Sequence, residues 1–416
     1  MNQLASVVNS FFISGIEGAL AHIETETLFG KPMVSIVGLG DLAIREAKDR
    51  LEAAIIRSDF DFPKMKIVIN LSPCDIKKSG SHFDLPMAIG LLLQSKQITI
   101  DAIDTFAFIG ELSLNGELRG CTGVLPMVIC AKEMGVNNII LPISNLREAE
   151  LVEGINAFGF RNLKDVTDYV QKIKPYEPIP KTDYSSVKKD HTLDFIDVKG
   201  QDSTIQFITL AAAGGHNFLM IGSPGCGKSM IAKRIPSILP SMTHEESLEV
   251  TKIYSVSGLL RNKGNLVEER PFRTPHHNAS LNSLIGGGLN ATPGEVSLAH
   301  NGVLFLDEFG EFAKKTLDAL RQPIEDGIVT ISRVRKTNTY PARIMLVSAM
   351  NPCPCGYYGE SKCRCSDYEI LKYRDRISGP IMDRIDIQKR VNPVSFTDIT
   401  EAKGGVSSEK IRSLVE

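Results

Sequence analysis

The stretch Gly222-Ser223-Pro224-Gly225-Cys226-Gly227-Lys228-Ser229 constrains this chain more than any other. It fills the pattern G-x-x-x-x-G-K-[ST] in full. NFLMI precedes it as a buried strand, and SMIAKRIPSIL follows it as a helix. Between two such elements, glycines let backbone N–H groups close on phosphate oxygens, and the helix N-terminus favours their negative charge. Lys228 is then placed to meet β- and γ-phosphates, and Ser229 to ligate Mg²⁺.

VLFLDE (303–308) supplies the second half of such a site. Four apolar residues make a central strand with Asp307 at its end, where it can hold Mg²⁺ through water. Glu308 next to it can orient or deprotonate a water, which points to hydrolysis rather than binding alone. RIMLVSAMN (343–351) reads as another buried strand, ending in Asn351. An amide there can sit between Glu308 and the γ-phosphate, although an Asn after a strand is also an ordinary turn residue.

The spacing from Lys228 to Asp307 is long for one compact βαβ step. The loop-like PFRTPHHNASLNSLIGGGLNATPGE (271–295) is the expected insert. His276 and His277 stand side by side in it, and neighbours in an extended segment face apart, which argues against a joint metal or catalytic role. GIVTISRVRKTNTYPARIMLVSA (327–349) reads as two strands around a polar turn carrying Arg333, Arg335 and Lys336. Three such cations can hold a phosphate backbone, or can simply be a solvated positive turn.

A length of 416 residues implies more than one domain. Residues 1–170 alternate β-rich runs such as KIVINL (66–71), FAFIGELSL (106–114) and NNIILP (137–142) with helical runs at 85–95 and 124–135. A proline-containing polar linker is expected over 171–193, and a second domain over 194–416. The net charge of −2 creates no global field, so nucleic-acid binding would need a local basic patch. No apolar run reaches membrane-spanning length and the N-terminus lacks a basic leader, so a cytoplasmic protein away from the membrane is expected. Four of the eight cysteines, Cys353, Cys355, Cys363 and Cys365, form two C-x-C pairs. They read either as a tetrahedral structural Zn²⁺ site or as reduced surface thiols.

GSPGCGKS, GEVSLAHNGVLFLDEF, LRQPIEDGIVTISR, AMNPCPCG and ISGPIMDRIDI occur in this order. Together they resemble the magnesium-chelatase-like AAA+ ATPases of the YifB/ComM family over essentially the whole chain. The resemblance implies that Asn351 is the sensor-1 residue and that Arg384 is the arginine finger of a neighbouring subunit, with Arg376 as the alternative. It implies a homo-hexamer binding ATP and Mg²⁺, an insert in the second helix of the motor domain, and a hairpin before sensor 1 that projects into the pore. A lid with a sensor-2 arginine should follow the finger. The terminal SSEKIRSLVE looks like a helix broken off before such a lid, so the lid is expected to be truncated.

Residues 1–168 resemble the Lon protease domain through KKSGSHFDLPMAIGLLL (77–93) and FIGELSLNGELRGCTGVLPMVICAKEMGVNNIILP (108–142). The catalytic serine position falls on His82 and the lysine position on Leu125. Ser81 is one residue off, and Lys77, Lys78 and Lys132 do not match. The expected fold is therefore α/β throughout: a Lon-protease-like domain without its Ser–Lys dyad, acting as scaffold or DNA-facing accessory, then a P-loop AAA+ domain. The implied function is an ATP-hydrolysing motor on single-stranded or branched DNA, with helicase or branch-migration activity in recombination or natural transformation. The alternatives are a chelatase-type motor driving metal insertion with partner subunits, and a protein-remodelling ATPase. The Lon-like domain favours the first, since the chelatase motor subunits are expected to lack it.

Overall fold

The computed structural model describes residues 5–178, 193–260, 265–288, 291–333, 336–394 and 405–416. The chain forms two compact units, residues 1–182 with Tyr254–Leu266, and residues 183–253 with 267–416. A single cut near 171–193 misses the Tyr254–Leu266 segment. Within the first unit, Gly123 N donates to Ser255 O at 3.0 Å, and the Ser255 hydroxyl donates to the buried Glu148.

The first unit is built on a seven-stranded mixed sheet. Its strands are β1 (Ser6–Ser14), β2 (Glu17–Leu28), β3 (Met33–Val37), β4 (Lys66–Ser72), β5 (Phe106–Phe108), β6 (Asn138–Pro142) and β7 (Asn156–Phe160), in the order β3-β4-β2-β1-β5-β6-β7. β1 and β2 form an antiparallel hairpin, and β5, β6 and β7 run parallel. The helix Asp84–Gln94 is buried on nearly every side, as its apolar sequence requires. The one strand expected over 106–114 breaks after Phe108. Gly110 N turns to His82 O at 2.8 Å, and Leu85 N comes back to Gly110 O at 2.9 Å.

The second unit holds a five-stranded sheet that is parallel throughout. Its strands are β8 (Phe218–Ile221), β9 (Phe272–Arg273), β10 (Gly302–Leu306), β13 (Ile344–Met350) and β14 (Ile387–Arg390), in the order β9-β10-β13-β8-β14. Between β10 and β13 in sequence lies an antiparallel hairpin of β11 (Ile328–Arg333) and β12 (Lys336–Pro341). Parallel strands covered on both faces need continuous apolar runs. Gly302–Leu306 is buried at every position, whereas the edge strand Ile387–Arg390 alternates. Phe218, Met220, Val303, Phe305, Val347 and Ala349 form the centre of one core.

The terminal helix Ser408–Val415 belongs to that core. Ser407 caps it, Ile411 is buried, and Ser408 Oγ accepts from Phe195 N at 2.9 Å. The 271–295 segment is more ordered than its loop-like composition suggests. It holds β9, a short helix Leu281–Ile285, a two-residue pair of Gly286–Gly287 with Thr292–Pro293, and a turn of helix Glu295–Leu298.

Candidate functional site

In an open parallel sheet, ligands are taken at the carboxyl ends of the strands. Gly222 follows β8, Asp307 follows β10 and Asn351 follows β13, and these three strands are neighbours. The topology therefore gathers at one edge what the sequence spreads over more than a hundred positions.

The 222–229 loop is shaped by its glycines. Gly225 and Gly227 take φ of 81° and 92°, the left-handed region that costs other residues most. A Cβ on Gly222 would lie 2.5 Å from Val391 O and 2.7 Å from Cys226 Sγ, so only glycine fits. Lys228, the first residue of the following helix, is 9% exposed. Its ammonium donates to Gly222 O at 2.7 Å, to Ser223 O at 3.0 Å and to Asn351 Oδ1 at 3.4 Å. Ser229 Oγ donates to Asp307 Oδ2 at 2.6 Å. The hydroxyl and the carboxylate thus stand as an adjacent pair of oxygen donors, the ligand type Mg²⁺ takes.

Glu308 begins the turn out of β10 with φ of 53°, an uncommon conformation for a residue with a side chain. Its N–H donates to Asp307 Oδ1 at 2.9 Å. Its carboxylate meets His277, with Nδ1 and Oε2 2.8 Å apart. The alternation expected of an extended segment, which argues against a role for His276 and His277, does not hold here. The rings do lie against each other, with centroids 4.1 Å apart, but only His277 reaches the site. The signal that finds it is the parallel register. Arg273 lies beside Leu304, and four residues further on each chain stand His277 and Glu308.

The two arginines stand apart from this cluster. Arg384 forms an ion pair with Glu325, both half-exposed. Arg376 donates to Glu311 Oε2 at 2.8 Å. Arg333 and Lys336 close the β11–β12 hairpin as register partners, and Arg335 lies outside the described residues. The hairpin packs on the 271–295 segment, where Tyr340 Oη donates to Ala291 O at 2.6 Å.

The sulfurs of Cys353, Cys355, Cys363 and Cys365 all lie within 4.8 Å of one another. The separations of 3.4, 3.8 and 4.0 Å among Cys353, Cys355 and Cys363 bracket the edge of about 3.8 Å that a tetrahedron with ~2.3 Å zinc–sulfur bonds requires. Backbone N–H groups of Arg364 and Tyr357 pull the Cys355 thiol down to about 6. Cys365 is pushed up to about 12: a hydrogen bond from the Cys355 backbone lowers it, but desolvation and the crowding sulfurs outweigh that. The loop also touches the nucleotide site. A Cβ on Gly356 would lie 2.7 Å from Pro224 Cδ, so the cysteine loop backs directly on the phosphate loop.

In the first unit the protease dyad is absent among the described residues. His82 is buried, and desolvation lowers its pKa to about 4. Leu125 is core, its N–H donating to Glu148 Oε1 at 3.0 Å. Ser81 bonds to Glu111, and the buried Lys78 bonds to the carbonyls of Pro73 and Ile76, so these two do not pair with each other. Among the described residues, no helix is long and apolar enough to cross a membrane.

Family models described as magnesium chelatase, subunit ChlI, and as subunit ChlI of Mg-chelatase match residues 194–399 and 23–145. The chain is 41% identical to the competence protein ComM of Haemophilus influenzae over 391 residues, covering 93% of this chain and 76% of that protein. It is 42% identical to YifB of Escherichia coli over 386 residues, with the same coverage. Lon protease 2 of Bacillus subtilis is 32% identical over 124 residues, 30% of this chain. A chelatase-described model thus matches the first unit as well as the second. The presence of that unit does not by itself set this chain apart from the chelatase motors.

Proposed function

We propose that this chain, which belongs to the magnesium-chelatase-like ComM/YifB family, is an ATP-hydrolysing ring motor that acts on DNA. The observation that carries the reading is the meeting of Lys228, Ser229, Asp307 and Asn351 at adjacent strand ends, with Glu308 beside them. The phosphates of ATP sit in the 222–229 loop, against its backbone N–H groups and the Lys228 ammonium. Ser229 and Asp307 would hold Mg²⁺, which when bound neutralises charge on the β- and γ-phosphates. Glu308 takes a proton from the attacking water, and Asn351 orients that water toward the γ-phosphate.

Arg384 serves the site of a neighbouring subunit. Its partner Glu325 is half-exposed, and such pairs contribute only about 0–1 kcal/mol, so releasing it costs little. Sites completed by a neighbour close into rings, and the family resemblance supports six subunits. The cations Arg333, Arg335 and Lys336 hold a phosphate backbone without reading its sequence. A relative that is a competence protein supports DNA as the cargo. The work is then branch migration or strand separation in recombination or transformation, in the cytoplasm. The four cysteines would hold a structural Zn²⁺, and so brace the path from Asn351 to the helix Asp367–Arg374.

Fluorescence anisotropy of labelled single-stranded and four-way-junction DNA tests this, with a non-hydrolysable ATP analogue and light scattering for ring size. Binding by a large oligomer that needs nucleotide and is lost in Lys228→Ala is the expected result. A well-formed ring that ignores DNA would favour the second reading, a motor for metal insertion. That reading draws on the chelatase description carried by both family models.

A further inference from the structure

We propose that Asn217 is a positioning residue for the arginine finger: it ties the backbone of Arg384 to the strand that carries the phosphate loop, and so places the finger that each subunit offers its neighbour. The proposal rests on the reading of Arg384 given above. Asn217 stands half-buried immediately before β8. Its side-chain Nδ2 donates to the Arg384 carbonyl at 2.9 Å, and its Oδ1 accepts from Leu346 N, also at 2.9 Å. Its backbone N–H donates to Asp386 Oδ2 at 2.7 Å, and its carbonyl accepts from Ile387 N at 3.1 Å. Every polar atom of Asn217 is thus engaged, three of the four with residues 384–387.

An amide suits this place because one planar group holds an acceptor and a donor. It bridges an N–H of β13 on one side and a carbonyl just ahead of β14 on the other. These contacts lie toward the amino ends of β8 and β13, and Gly222 and Asn351 follow the carboxyl ends of the same two strands. From Asn217 to Gly222 the extended chain spans about 16 Å, at ~3.3 Å per residue. β8 pairs with β13 and with β14 along its whole length, so it moves as one piece with them. The Arg384 side chain, by contrast, rests on the half-exposed Glu325 and can swing while its backbone is held. The Asn217 bond fixes the origin of that swing, and a guanidinium misplaced by about 1 Å can cost on the order of a hundredfold in rate. The same bond links the nucleotide that a subunit holds to the finger that it presents next door.

Steady-state ATPase kinetics of the full chain test the role, with affinity for a fluorescent ATP analogue and the melting temperature as controls. In Asn217→Ala, kcat should fall about ten- to a hundredfold while analogue affinity holds, because the phosphate loop itself is untouched. Subunit mixing shows which site suffers. Asn217→Ala keeps its base and misplaces its finger, whereas Glu308→Gln lacks the base and keeps the finger, so a one-to-one mixture of the two should exceed both parents. A mixture with Arg384→Ala should stay between its parents, since neither supplies a well-placed finger. The opposite pattern, rescue by Arg384→Ala and none by Glu308→Gln, would mean that Asn217 supports its own nucleotide site, and would overturn the proposal. A wild-type kcat in Asn217→Ala would do the same. Asn217→Asp keeps the acceptor for Leu346 N and lacks the donor to Arg384 O. It should be as slow as the alanine variant, and it carries the same test where alanine melts early; a wild-type rate in it would also overturn the proposal. Failure of the underlying reading looks different: Arg384→Ala would keep its turnover, or would not be rescued by Glu308→Gln.

Discussion

Asp307 and Glu308 are adjacent carboxylates with separate partners, and the backbone separates them. Asp307 ends a strand and turns to Ser229, while the left-handed φ at Glu308 throws its side chain the other way, to His277. Glu308→Gln keeps the shape and removes the proposed base. Nucleotide binding and assembly should persist while turnover drops by roughly a hundredfold or more, checked by phosphate release against analogue binding. His82 gives a second residue-scale prediction. Burial holds its folded pKa near 4, below the 6.5 of a free imidazole. The unfolded chain therefore binds the extra proton first, and stability falls as the pH drops from about 6.5 to 4, by up to about 3 kcal/mol. Urea melts of the wild type and His82→Leu should show that slope flattened in the variant. Lys228, Ser229 and Asp307 are legible in the sequence because each stands within a residue or two of a run that fixes it. The partnership of His277 with Glu308 is not legible, because it depends on which strand lies beside which.

Among the elements, the central strands are legible for the same reason they are central: burial on both faces demands unbroken apolar runs. The two-residue β9 and the alternating β14 carry too little pattern to declare themselves, yet β9 delivers His277 and β14 flanks the phosphate loop. The Tyr254–Leu266 segment is equally silent, since its place in the first unit depends on contacts distant in sequence, such as Ser255 with Glu148. Two elements carry predictions. Elemental analysis should find one zinc per chain, and Cys353→Ser with Cys363→Ser should remove it. Because Gly356 backs on Pro224, loss of the metal should lower both the unfolding temperature and kcat. The proposed role of the hairpin depends on charge alone. Neutralising Arg333, Arg335 and Lys336 should weaken binding to all DNA sequences alike and make the slope of log K against log salt shallower by about two to three. An unchanged slope would take the hairpin off the DNA path.

At the scale of the whole molecule, the question is whether one chain holds a complete site. The strand ends gather the phosphate loop, both carboxylates and Asn351, but Arg384 stays on Glu325, outside that cluster. The proposed ring would resolve this by letting each subunit finish its neighbour's site, and mixing makes the idea quantitative. Arg384→Ala and Glu308→Gln should each be nearly inactive alone. In a one-to-one mixture that exchanges subunits, an interface works when an Arg384→Ala subunit supplies the base and a Glu308→Gln subunit supplies the arginine. Random assembly makes that roughly a quarter of all interfaces, so turnover should rise well above either parent. If Arg384 acted within its own chain, neither parent would hold a complete set and mixing would restore nothing. The same experiment with Arg376→Ala decides between the two arginines, because only the true finger gives a partner that can be rescued.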